Sequence, residues 1–258
     1  MASKLSDEQE QKVLRKTKEK VQLGSSFVHS SRYRSLSCGQ FLLLPSILQL
    51  ALFAPLAWWA HKHPVDARDV RITRALQKKR SSFLRNGVIT ITYISGSPAI
   101  LRILTFPIAF VLWKLRLRLE AVMTVGVAMT SEVFKGLLQS IVNRPRPSPL
   151  LVHVYTNAHG KSFPSGHVVS SISFWGWLMA LGTILWQRKR AWQKALLGMP
   201  ALFLGLIGPS RICLGEHWAS DVIGGYLFGS AWLGLSVQLY LKLREKGVLA
   251  EKKEKNNT

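Results

Sequence analysis

Two histidines, a carboxylate, a serine and several arginines stand at the ends of apolar runs in this chain of 258 residues. They fall in three strings: Arg144-Pro145-Arg146-Pro147, then Phe163-Pro164-Ser165-Gly166-His167, then Ser210-Arg211 with His217 and Asp221 behind it. Phosphoryl transfer needs an in-line nucleophile, a proton for the departing oxygen and positive charge on the equatorial oxygens. His217 and Asp221 are four apart, so they share a face if the last apolar run begins near them as a helix. A carboxylate that takes the Nδ1 proton leaves Nε2 unprotonated and nucleophilic. It also supports the imidazolium character that grows during attack. Taken singly, Asp221 reads as a helix cap and His217 as an interfacial residue.

The middle string opens an apolar run. Pro164 suits a first helical turn, where its missing N–H costs nothing. Ser165 and Gly166 then present backbone N–H groups and a hydroxyl at a helix N-terminus, which favours an anion. His167, at the same end, can supply the leaving group's proton. Arg146 and Arg211 each stand where a run ends, and guanidinium groups bind phosphate bidentately. Only Glu216 and Asp221 lie near these strings, too few carboxylates for a paired-metal site. The expectation is chemistry without metal or cofactor. Glu132, three residues before Lys135, reads as that lysine's intramembrane ion-pair partner.

These groups need a scaffold, and the hydropathy pattern predicts a membrane one. Six apolar runs approach the roughly 20 residues that cross a bilayer: Phe41–Ala60, Pro98–Trp113, Ala121–Asn143, Pro164–Trp186, Ala195–Gly208 and Val222–Leu241. The second and fifth are short. The predicted fold is all-α, a multi-pass membrane bundle of about six transmembrane helices. Its expected parts are a basic cytoplasmic arm over 1–40, a membrane-embedded domain over 41–243, and a disordered cytoplasmic tail over 244–258. Net charge is +22. With both termini inside, inner segments hold 21 Lys and Arg against 12 outside, the positive-inside bias. The charge therefore reads as topology, not as nucleic-acid binding, and the strings fall on the outer (periplasmic or lumenal) side. The outer loop 61–86 departs from that bias, with eight Lys/Arg against Asp66 and Asp69. Val65, Ile72, Leu76 and Phe83 recur there at near-helical spacing. It reads either as an interfacial helix gathering anionic lipid or as a solvated charged face.

In order and internal spacing the three strings resemble the signature of the type 2 phosphatidic acid phosphatase superfamily, which also contains vanadium haloperoxidases. The likeness covers roughly residues 85–240 and is greatest to the bacterial membrane lipid phosphatases. It implies a phosphohistidine on His217 assisted by Asp221, with His167 as acid and Arg146, Arg211, Ser165 and Gly166 on the phosphate. The implied substrate is a lipid phosphomonoester or diphosphate, at a site facing outward. At the family's first lysine this chain has Gln139. Lys135 is one turn earlier, about 6 Å deeper at 1.5 Å per residue. Side-chain tilt toward the cytoplasmic end directs Lys135 away from the site. Gln139 leaves a weak or inactive lipid-phosphate-binding protein as the alternative, and a haloperoxidase as a more distant one. Which lipid, which membrane and what oligomeric state are open at this stage.

Overall fold

The computed structural model describes residues 42–78, 90, 97–155, 158–185 and 191–249, and within them all regular structure is helical. The predicted arm over 1–40 lies outside the described residues. From Leu42 onward the chain forms one compact unit. Seven helices position the site: α1 Leu42–Lys62, α2 Ala67–Lys78, α3 Pro98–Lys114, α4 Arg118–Val142, α5 Gly166–Leu185, α6 Ala191–Cys213 and α7 Ala219–Glu245. Four of these, α1, α4, α5 and α7, are long and apolar enough to cross a membrane. The last run is helical beyond its expected limits, and α7 reaches Glu245, inside the predicted tail.

Apolar side chains such as Leu44, Ile103, Phe110, Val133 and Ile141 stand exposed around the bundle. A surface so apolar is stable only against lipid or a partner. α5 and α7 are the central pair, and their long windows are 56% and 50% buried, against 11% for α1. Their close approach is written in α7's glycines. A Cβ on Gly224 would meet the Phe163 ring at 2.5 Å, and one on Gly225 would meet Val168 Cβ at 2.9 Å and the Ser165 carbonyl at 3.1 Å. Phe163 is fully buried, packed with Phe53 of α1 and Phe228 of α7. That cluster pins the segment leading into α5 against the bundle.

Each helix end near the site has a local cause. Asn143 adopts the left-handed conformation (φ 52°) and ends α4, a role that asparagine fills better than most side chains. Pro145 and Pro147 follow and keep the chain extended. α7 starts at Ala219, and Asp221 in its first turn accepts the Trp218 N–H at 2.8 Å, a capping interaction. The ends of α4 and α6 and the starts of α5 and α7 thus meet at one end of the bundle.

α2 falls inside the 61–86 loop, where an interfacial helix was one expectation, but the face it docks differs from the one its apolar spacing marks. Val65 and Ile72 are exposed, while Asp69 and Thr73 are buried, beside a partly buried Leu76. Polar partners from α7 and the 144–147 segment decide the docked face. Phe83 lies outside the described residues.

Candidate active site

His217 is fully buried in the turn before α7, not on the helix itself. Its Nδ1 lies 2.9 Å from the backbone carbonyl oxygen of Ser162. A carbonyl only accepts, so Nδ1 carries the proton and Nε2 presents its lone pair. Arg146 Nη1 stands 3.2 Å from that Nε2, and also donates to the Glu216 carbonyl at 2.8 Å. Burial pushes the His217 pKa down, Asp221 raises it and Arg146 lowers it further, so the net direction is below the ordinary imidazole range. His217 is therefore neutral at neutral pH.

Asp221 does not take the His217 proton as the four-residue spacing predicts. Its Oδ2 stands 3.8 Å from Nδ1, beyond hydrogen-bond reach. Because His217 precedes the helix, the two do not share a helical face. Asp221 instead accepts from the Ser162 hydroxyl, the Trp218 N–H and Arg144 Nη1. It fastens both segments that hold the imidazole, and the Ser162 carbonyl fixes the tautomer.

The carboxylate's partner is a residue that the sequence left without a role. Arg144 is fully buried between Asp221 (2.7 Å) and Asp69 of α2 (2.8 Å). It also donates to Ser220 Oγ at 2.6 Å. Separating a buried pair of this kind costs about 3–5 kcal/mol, because one charge is left uncompensated. The signal available beforehand was the doubled arginine, since an arginine beside Arg146 and off the lipid face needs a carboxylate.

His167, in the first turn of α5, faces His217 with ring centres 6.0 Å apart and nearly perpendicular. Its side chain is 18% exposed, whereas that of His217 is wholly enclosed. Glu216 Oε2 lies 3.7 Å from His167 Nδ1 and accepts from Arg211 Nη1 at 3.0 Å. Arg211 is fully buried and held in that pair. Ser165 is fully buried too, and its hydroxyl has no hydrogen-bond partner among the described residues. A buried hydroxyl at the start of α5 is placed to hydrogen-bond a bound anion or an ordered water.

Gln139 and Lys135 both border Gly166. A Cβ there would meet Lys135 Cδ at 3.3 Å, Lys135 Nζ at 3.6 Å and Gln139 Nε2 at 3.6 Å. Lys135 therefore lies under the α5 terminus and does not point away as the tilt rule predicts. Its long stem bends back toward the polar end of the bundle, the snorkelling that lysine permits. The expected pair with Glu132 is present at 2.5 Å. Glu132 has further partners in Arg102 (3.6 Å) and the Ser170 hydroxyl. Gln139 donates to the Pro164 carbonyl at 3.1 Å.

An end-of-bundle site of buried arginines and paired histidines, on helices that span a bilayer, belongs to an integral, multi-pass membrane protein. Residues 120–245 match the PAP2 superfamily, and this part of the chain is a PAP2 superfamily domain. Phosphatidylglycerophosphatase B of Bacillus subtilis (strain 168) is 25% identical over 181 residues, 69% of this chain and 85% of that one. Phosphatidylglycerophosphatase B of Escherichia coli (strain K12) is 37% identical over 97 residues, 38% of this chain; the match spans only 35% of that protein. The crystal structure of a transmembrane PAP2 type phosphatidylglycerolphosphate phosphatase from Bacillus subtilis superposes with a TM-score of 0.60 at 22% identity, covering 79% of this chain and 96% of that one. At that identity the likeness is one of fold.

Proposed function

We propose that this chain is a lipid phosphatase, which hydrolyses a lipid phosphomonoester or diphosphate through a phosphohistidine on His217 and without a metal ion. The observation that carries the reading is the His217 tautomer: Nδ1–H is spent on the Ser162 carbonyl, and the Nε2 lone pair faces Arg146 and the His167 side of the site. The relatives' names support the substrate class.

In this reading an incoming phosphate draws the Arg146 N–H from Nε2 onto one of its oxygens, which frees the lone pair. Ser165 Oγ and the amides at the start of α5 take a second oxygen. His217 Nε2 attacks phosphorus, the bond to the lipid oxygen breaks, and His167 gives its proton to that oxygen. Water then attacks the phosphohistidine, His167 accepts its proton, and inorganic phosphate leaves. Asp221 and Arg144 hold the imidazole while positive charge grows on it. Lys135 brings the positive charge beneath Gly166 that Gln139 lacks, which speaks against the inactive alternative. Arg211 acts through electrostatics and by holding Glu216 beside His167. Asp221 and Glu216 are committed to arginines, so the catalytic charge in this reading comes from guanidinium groups and the Lys135 ammonium.

The same reading has six spans, with α3 and α6 completing the four long ones, both termini cytoplasmic and the site on the outer face. The loop charges support that orientation. The test is phosphate release by the purified full-length protein from a panel of lipid phosphates with a chelator present, together with trapping of an acid-labile, alkali-stable phosphoenzyme. No release from any lipid, or a phosphoenzyme that survives His217→Ala, overturns the reading.

A further inference from the structure

We propose that Asp69, on the helix that lies outside the long apolar spans, is a positioning residue for His217, acting through Arg144 and Asp221. The inference rests on the reading of His217 as nucleophile. α2 carries Arg68, Arg71, Arg74 and Lys78, yet its one inward-facing carboxylate is only 3% exposed. Asp69 Oδ1 accepts the Ser220 N–H at 3.0 Å, and Oδ2 accepts the Ser220 hydroxyl at 2.5 Å and Arg144 Nη2 at 2.8 Å. Ser220 N–H is one of the first-turn amides of α7, which has no carbonyl partner within its own helix. Asp69 therefore caps, from another element, the helix whose next residue is Asp221. Arg144 closes the ring by donating to both Ser220 Oγ and Asp221.

A docking pin for α2 would need no charge of its own, whereas Asp69 is ion-paired to Arg144. The charged groups around His217 are Arg146 against Nε2, Asp221 near Nδ1 with Arg144 behind it, Glu216 with its partner Arg211, and the His167 ring opposite. Among the fixed charges Arg144, Arg146 and Arg211 give three positives, while Asp221 and Glu216 give only two negatives. Asp69 is the third. Lys135, beneath Gly166, has its own partner in Glu132, so Asp69 is the charge that offsets Arg144 in this group; without it one further positive charge faces the imidazole as its own positive charge develops. Asp69 thus both aims Arg144 and keeps the surroundings from opposing the imidazolium.

The experiment measures phosphate release from one lipid phosphate against pH, using the full-length protein in detergent. Asp69→Asn should lower kcat roughly 10- to 100-fold, as small misplacements of a reacting group do, with KM held within about twofold. Losing the negative charge lowers the His217 pKa, so the acid limb of the rate profile should move down by roughly 0.5–1 pH unit. Asp69→Glu keeps the charge and should leave the limb where it is. An Asp69→Asn limb that does not move in a folded protein overturns the proposal, and Asp69 is then only a pin. Should Asp69→Asn not fold, Asp69→Asn/Arg144→Gln carries the test. Its charges balance again, so the limb should match wild type, whereas an inert Asp69 requires an upward shift from losing Arg144. His217→Ala keeps the two failures apart: residual turnover there overturns the nucleophile assignment whatever Asp69 does.

Discussion

Moving one positive charge by a helical turn tests how this site manages with Gln139. In Gln139→Lys the new ammonium gains a charge-assisted hydrogen bond to the phosphate, about 1.5–3 kcal/mol. The Gln139 bond to the Pro164 carbonyl is lost, about 1 kcal/mol. A second ammonium four residues from Lys135 adds a repulsion of about 0.3 kcal/mol. The remainder is about 0.2–1.7 kcal/mol, so kcat/KM should rise roughly 1.5- to 20-fold at 1.36 kcal/mol per tenfold. Lys135→Gln should lower kcat/KM by about tenfold, because the ammonium beneath Gly166 is gone. Its stability cost should be modest, since Glu132 keeps Arg102 and Ser170. The swap Lys135→Gln/Gln139→Lys should then recover activity to near wild type. The assay is kcat/KM on a soluble short-chain lipid phosphate, with thermal unfolding of each variant alongside. Wild-type kcat/KM in a folded Lys135→Gln protein refutes the reasoning, and Lys135 is then only the partner of Glu132. A swap no better than Lys135→Gln alone refutes it equally.

His217→Ala should abolish turnover and phosphoenzyme, and Asp221→Asn should cost on the order of 10²–10⁴-fold in kcat with lipid binding retained; in the double mutant the losses should not multiply, because the two act as a unit. Burial holds the His217 pKa below its ordinary value, so the acid limb of kcat/KM should lie below about pH 6.5, activity falling only as pH drops through the lowered value; a limb above 7 contradicts the assigned environment. Orthovanadate should inhibit as a trigonal-bipyramidal mimic and activity should survive excess chelator, whereas loss that magnesium restores would end the metal-free mechanism. In a background lacking Cys38 and Cys213, an impermeant thiol reagent should label a cysteine placed in 148–162 but not one in 188–194; the reverse pattern would put the site on the cytoplasmic face.

The linear pattern carried the all-helical bundle, because bilayer thickness fixes the length of an apolar run and a span's backbone must satisfy itself. It also carried His217, His167, Arg146, Ser165 and Gly166 into one site, since each stands at the same end of its run. What it did not carry were contacts between segments far apart in sequence. Asp69 and Arg144, 75 residues apart, meet in a buried pair, and a hydropathy pattern that counts an aspartate as solvent-facing has no means of matching it to a distant cation. Asp221 and His217 were paired by a helical spacing that fails because the helix begins two residues after the histidine. The Lys135 stem likewise follows the polar end of the bundle rather than the mean tilt of helical side chains. The sequence alone determined which chemical groups are present and that they gather at one end of the helical bundle, because those follow from local composition and the period of the chain. Only the tertiary structure decided which carboxylate neutralises which arginine and which oxygen fixes the histidine tautomer, because a buried charge is stabilised by whatever partner packing brings within about 3 Å.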